Sequence, residues 1–235
     1  CLLFRTQGPE DFDQECFHQG HEGKQAVGQA NHILWGDSFA AHLYPGLKGK
    51  LEDSKTLVQW TAVACAPFLA SAESHPNCQR VNQFVLGYLE KNPETGVFLA
   101  ANWSGAFRDL RLDALRATLD RLQSIGVRHV VLFGPPPLWI KPLPTLIIEW
   151  MTNHPNEPLP KRLSEHAAGF TDELDERLHQ LASEYQIEYV SILHELCNSD
   201  GCIAIIDHSL TSLDSGHLTV EGSRAAIQNH RSNFR

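Results

Sequence analysis

The 235-residue chain carries 19 Lys and Arg against 28 Asp and Glu, a formal net charge of -9, and 42% of its residues are hydrophobic. That length fits one large domain, or one domain with extensions, and supplies enough apolar material for a core. The acidic balance and the lack of a long basic run argue against nucleic acid as a partner, and no apolar run is long enough to span a membrane.

Residues 1–30 are polar, with Gly and Gln scattered through them, and read as an irregular lead-in to a body at 31–235. The chain begins at Cys1 without a methionine. It therefore reads as a processed or excised piece of a longer protein, with any targeting segment or membrane domain upstream out of view. The run HILW, 32–35, predicts a first strand, and TLVQWTAVAC, 56–65, a second. In 80–89, Val81, Phe84, Val85, Tyr88 and Leu89 recur at helical spacing. GVFLAANW, 96–103, is a third strand, and 108–125 a helix with Leu110, Leu112, Leu115, Leu119, Leu122 and Ile125 largely on one face. VRHVVLFG, 127–134, is a fourth strand, followed by PPPLWIKPLP, which fits neither a helix interior nor a central strand. Residues 141–166 read as a long excursion with one short helix. A helix is expected over 171–185, a fifth strand at 187–192, and a last helix from Thr219, as its cap, to about Asn229, with Gly222 weakening its first turn.

Strands alternating with helices predict a parallel sheet covered on both faces, with ligands at the carboxyl ends of the strands. Three strand ends then carry chemistry on one edge: Gly36-Asp37-Ser38, Ala101-Asn102-Trp103 and Gly134. The six cysteines fall into three sequence-local pairs, Cys1–Cys16, Cys65–Cys78 and Cys197–Cys202, and locality is the only warrant for that pairing. Free thiols or a metal site are the alternatives, the latter disfavoured because no Cys-x-x-Cys is present. Disulfides would imply an oxidising compartment, a periplasm or cell exterior. Lipidation of Cys1 is a further option with no upstream sequence to support it.

Gly36-Asp37-Ser38 has two readings. Gly-Asp-Ser is turn chemistry that caps the next helix. Alternatively, Ser38 is a nucleophile, which needs a base within hydrogen-bond reach and an orienting partner for that base. The segment SLDSGHLTVEGSR supplies candidates: Asp214 and His217, three apart, can turn their side chains the same way. Asp37 reads as a former of the turn. His42 is either packed beneath it or faces substrate. Trp103 and Trp139 either stack on a sugar ring or are buried, and His194 and His208 are surface or packing residues.

With Asp214-x-x-His217 near the C-terminus, Gly36-Asp37-Ser38 resembles the SGNH (GDSL-like) hydrolase superfamily. Within it the chain is similar to the SGNH domain fused to acyltransferase-3 membrane proteins, the bacterial sugar O-acetyltransferases. GDSFAAHLYPGL, LAANW, VVLFGPPPLW, CNSDGC and DSGHLTVEG follow in family order across most of 31–224. The resemblance implies a flavodoxin-like three-layer α/β/α sandwich with a central parallel sheet of about five strands. It also implies Ser38 as nucleophile, His217 as base and Asp214 as its partner. The superfamily builds its oxyanion hole from the serine N–H, a glycine N–H after the second strand and an asparagine after the third. Here Cys65-Ala66-Pro67 follows the second strand without a glycine, which leaves the Ser38 N–H and Asn102 as the expected donors.

The implied activity is transfer of an acyl group, acetyl by expectation, through an acyl-serine onto a bacterial surface polysaccharide such as lipopolysaccharide O-antigen, in the periplasm. The resemblance also implies an acyl donor and a carbohydrate acceptor as partners, and an upstream acyltransferase-3 transmembrane domain in the same full-length chain. Such a triad calls for no metal or cofactor. The alternatives are a carbohydrate O-acetylesterase with water as acceptor, or a non-catalytic carbohydrate-binding domain with a relic triad.

Overall fold

Alternate residues of the central strands serve two different cores. In β2 (His32–Gly36), Ile33 and Trp35 pack on one face of the sheet and Leu34 on the other. In β4 (Gly96–Ala100), Val97 and Leu99 oppose Phe98 and Ala100, and in β5 (Val130–Phe133), Val130 and Leu132 oppose Val131 and Phe133. Burial on both faces is why these strands read as unbroken apolar runs. In the computed structural model, residues 1–13, 16, 30–51, 56–69, 75–106, 110–166, 168–228, 230 and 234 are described.

With β1 (Leu2–Leu3), β3 (Leu57–Ala62) and β7 (Glu188–Val190), these strands form one parallel sheet of six, ordered β1-β3-β2-β4-β5-β7. One face is covered by α3 (Pro76–Leu89), α4 (Leu110–Ile125) and α6 (Ala168–Glu184). The other is covered by α1 (Ser38–Ala41), α2 (Tyr44–Lys50), α7 (Ile192–Leu196) and α8 (Val220–Gln228). The fold is a three-layer α/β sandwich. The chain runs from β2 outward to β3 and returns to β4 on the far side of β2. The carboxyl end of β2 therefore lies where the strand order reverses, the place where such sheets bind ligands.

Several boundaries differ from expectation. The lead-in is not irregular throughout, because Leu2 and Leu3 pair with Thr61 and Ala62 as a sixth, edge strand. Two residues are too few to show a period, and 17–29 lie outside the described residues. The second strand stops at Ala62, and Ala64 turns the chain at φ 53°. The fifth strand ends at Val190, and Ser191 caps α7 through a hydrogen bond from the His194 N–H. Helix α3 starts four residues before the expected stretch, with Pro76 in its first turn.

The 141–166 excursion holds a full helix, α5 (Leu143–Asn153), and β6 (Arg162–Leu163). Strand β6 joins β9 (Gly201–Ile203) and β8 (Cys197–Asn198) in a small antiparallel sheet. These elements bury a third cluster of their own, Trp139, Leu143, Leu146, Ile147, Leu163, Cys202 and Ala204. Three disulfides, Cys1–Cys16, Cys65–Cys78 and Cys197–Cys202, are the sequence-local pairs. Each closed loop is worth roughly 2–4 kcal/mol by constraining the unfolded chain. Among the described residues no helix is long and apolar enough to cross a membrane.

Thr219 does cap α8, its hydroxyl accepting the Gly222 N–H at 3.0 Å. Gly222 has a packing reason that outweighs its helical cost. A Cβ there would stand 2.1 Å from the Thr211 carbonyl oxygen, so only glycine lets α8 lie against the backbone at Thr211.

Candidate active site

The turn after β2 is set by two residues. Gly36 has φ +155°, and a Cβ on it would come within 1.7 Å of the Ala100 carbonyl oxygen, so β2 and β4 close together only with glycine there. Asp37 then caps α1. Its Oδ1 accepts the Phe39 N–H at 2.8 Å, and its Oδ2 accepts the Asn102 N–H at 2.9 Å. One carboxylate thus ties the turn after the first central strand to the turn after β4. Burial pushes the Asp37 carboxyl up, against the pull of the Asn102 and Phe39 N–H groups and of nearby His217. Ser38 opens α1, where its N–H has no carbonyl four residues back to bond.

The opposing loop returns from the other end of the chain. Ser212 and Leu218 bridge its base, and the Leu213 N–H donates to the His217 carbonyl at 2.8 Å. Asp214 Oδ1 accepts the N–H groups of Gly216 and His217, both at 2.8 Å, while Oδ2 lies 2.8 Å from His217 Nδ1. His217 Nε2 lies 2.8 Å from Ser38 Oγ. With the ring proton on Nδ1, toward the carboxylate, Nε2 offers its lone pair to the serine hydroxyl. Partial burial opposes ionisation of Asp214. The His217 and Gly216 N–H groups and the His217 imidazole outweigh it and hold the carboxyl below its usual range. Serine, imidazole and carboxylate form one hydrogen-bonded line, the arrangement that lets a serine be deprotonated during attack.

Asp214 and His217 of this line border an open cleft of about 410 Å³. Phe39, Leu138 and Trp139 provide its apolar side, and Asn102, Ser104 and His217 its polar side. Ser104 donates its hydroxyl to Asn102 Oδ1. Phe39, Ser104 and Leu138 were not singled out in the sequence, although each lies one or two residues from a residue that was.

Against known families, the model of the SGNH domain fused to AT3 domains matches residues 1–229. The chain belongs to that family. Among solved structures it is similar to the periplasmic domain of a lipopolysaccharide acetyltransferase from Salmonella ser. Paratyphi A. That pair is 23% identical over 86% of this chain and 82% of that one, with a TM-score of 0.76. A proposed acylhydrolase from Bacteroides fragilis NCTC 9343 is 13% identical, over 94% and 92% of the two chains, at a TM-score of 0.52. A carbohydrate acetylesterase from Sinorhizobium meliloti is also 13% identical, over 85% and 95%, at 0.50. At these identities the likeness is one of fold. No curated protein matches the chain.

As a member of this family, the chain departs from the superfamily's glycine after the second strand. The segment there is clamped instead. Asn82 Nδ2 donates to the carbonyls of Ala66 and Phe68 at 2.9 and 3.0 Å, and Thr118 Oγ1 to that of Pro67 at 2.7 Å. Among the described residues this loop adds nothing to the cleft lining. Trp103 is no sugar platform: it is 2% exposed and donates its indole N–H to the Phe133 carbonyl at 2.7 Å. Trp139 forms cleft wall but is only 4% exposed, with its indole N–H on Ser212 Oγ, so it offers no open face for stacking. Gly134 is not in the cleft. It backs onto Tyr189 and Asp175, whose hydroxyl and carboxylate would crowd any Cβ. His42 lies beneath the site, where its Nδ1 accepts the Leu218 N–H at 3.2 Å. His194 is exposed, 3.9 Å from the Asp175 carboxylate. Among the described residues, the one group with metal-ligand spacing is His166 with Cys197 and Cys202, whose sulfurs are joined in a disulfide.

Proposed function

We propose that the 31–235 body is the catalytic domain of an O-acyltransferase. It would move an acetyl group through an acyl-Ser38 intermediate onto a hydroxyl of a bacterial cell-surface polysaccharide such as lipopolysaccharide O-antigen. The observation that carries this reading is the 2.8 Å contact of Ser38 Oγ with His217 Nε2, itself backed by Asp214, where His217 and Asp214 border an open cleft. Ser38 Oγ attacks the acyl carbonyl while its proton passes to His217 Nε2. The tetrahedral oxyanion meets the Ser38 N–H and the Asn102 amide. Collapse breaks the bond to the donor's leaving group, which takes the proton from the imidazolium. The acceptor hydroxyl then gives its proton to the same nitrogen and attacks the acyl-serine; as the bond to Ser38 Oγ breaks, Oγ takes that proton back from the imidazolium.

Membership in a family fused to AT3 domains, and the likeness to a periplasmic lipopolysaccharide acetyltransferase domain, support the acetyl transfer, the surface-sugar acceptor, an AT3 transmembrane domain in the full-length chain and a periplasmic location. A second reading, a carbohydrate O-acetylesterase with water as acceptor, is favoured by solvent access. The Asp214 side chain is 51% exposed and that of His217 33%, so water reaches the base. The two readings separate by product. The chain is incubated with an acetyl ester, with and without a bacterial polysaccharide oligosaccharide, and the oligosaccharide is weighed by mass spectrometry. A gain of one acetyl that needs Ser38 supports transfer. Acetate alone at an unchanged rate supports the esterase. No turnover, and no labelling of Ser38 by a serine-reactive phosphonate, would leave a binding domain with a relic triad.

A further inference from the structure

The nucleophile and the base come from segments 179 residues apart, and the Ser38–His217 hydrogen bond is not the only link between them. His42 makes a second. Its backbone N–H donates to the Ser38 carbonyl at 3.0 Å, closing the single turn of α1. Its Nδ1 accepts the N–H of Leu218, the residue after His217, at 3.2 Å. The ring packs edge-on against His217 with centroids 6.1 Å apart, and both rings contact Phe39. Leu218 is itself fixed in the core. The distance from Ser38 to His217 is therefore held from below by one residue, whose backbone N–H bonds the Ser38 side and whose imidazole bonds the Leu218 side.

We propose that His42 is a positioning residue that acts as a neutral acceptor and sets the reach of His217 to Ser38. The inference rests on the acyl-serine reading above. The tie requires an unprotonated Nδ1, since an imidazolium has no lone pair to accept with. The ionisable groups whose charges act on His42 are His217 and Asp214. Burial, with the His217 charge adding to it, lowers the His42 pKa to about 3 against the opposing pull of Asp214, which keeps the ring neutral at ordinary pH. A neutral ring beside His217 also avoids a second positive charge when His217 takes up the serine proton.

The test compares His42→Leu with His42→Asn, whose Oδ1 can occupy the place of Nδ1 and accept the same N–H. The expected result is a fall of about 10- to 100-fold in kcat for hydrolysis of a nitrophenyl acetate with the leucine variant, because a small misplacement of a base is costly. KM should stay level, phosphonate labelling of Ser38 should slow in parallel, and the asparagine variant should recover most of the loss. The Leu218 amide, followed by NMR, should lose its slow exchange in the leucine variant and regain it in the asparagine one. Wild-type kcat in the leucine variant, a loss confined to KM, or an asparagine variant as slow as leucine overturns the proposal. So does an unchanged Leu218 amide. Failure of the underlying reading looks different: the folded wild-type chain would itself show neither turnover nor labelling at Ser38, and the NMR arm would still decide whether His42 holds Leu218.

Discussion

The turn at Gly36–His42 and the loop at Ser212–Leu218 face each other across the cleft, and each is built round one aspartate. Asp37 spends both carboxylate oxygens on backbone, one on Phe39 and one on Asn102. Asp214 gathers two N–H groups on a single oxygen and keeps the other for His217 Nδ1. Their environments differ in the same sense. Asp37 is buried, and burial pushes its carboxyl up; Asp214 is half-exposed, and its hydrogen bonds hold it down. Two acids at one site thus have separate tasks: Asp37 joins two strand ends, and Asp214 is placed to orient an imidazole.

Four experiments bear on that division. The largest effect is expected where the two regions meet. Ser38→Ala should lower ester turnover by about 10⁶-fold and His217→Ala by nearly as much, with the double variant no slower than either, because such residues act as a unit. Wild-type turnover in a pure, folded Ser38→Ala sample would return the segment to a plain capped turn.

Next comes the contrast between the acids. Asp214→Ala should cost about 10⁴-fold in kcat, since the imidazole loses its preferred tautomer, and lower Tm less than Asp37→Ala does, because water reaches the two N–H groups it leaves at this half-exposed loop. Asp37→Ala should instead lower stability by about 2 kcal/mol, as a lost cap that strands two N–H groups. Thermal unfolding and kinetics on the same samples decide the matter. If Asp37→Ala keeps its Tm and loses as much rate as Asp214→Ala, the two roles are not separate.

Asn102 lies between the regions, its N–H on Asp37 and its side chain in the cleft. Asn102→Ala should lower kcat by about 100-fold while the N–H bond to Asp37 persists. An unaltered kcat would move the oxyanion donors elsewhere.

The smallest effect is on the pH dependence of stability. His42 has its pKa lowered in the fold to about 3, so the unfolded chain binds a proton there that the folded chain refuses. Its contribution is fully present above the ordinary histidine pKa of about 6.5 and is lost as pH falls from there toward about 3. Asp214, lowered as well, loses its contribution only as pH falls through a value below the usual carboxylate range. Between about pH 7 and pH 4.5, therefore, His42→Asn should lose less Tm than wild type. An equal loss in both proteins would remove His42 as the source.

The sequence alone determined the apolar runs of the central strands, the helices between them and the Gly36-Asp37-Ser38 turn, because burial on both faces of a parallel sheet and local capping are written in neighbouring residues. Sequence-local cysteine pairs were legible for the same reason. Strands of two residues, such as Leu2–Leu3 and Arg162–Leu163, were not, since their pairing is long-range and leaves no period. The side chains under the strand ends were decided only in three dimensions. Trp103 and Trp139 sit next to strand ends and a proline run, as a sugar platform would, yet their indole N–H groups find Phe133 and Ser212 in the interior. Gly222 looked like a weak point in a helix until the Thr211 carbonyl came within reach of its missing Cβ. A motif names the chemistry a residue type can do, but burial and hydrogen-bond partners from distant segments decide which copies of that residue type are free to do it.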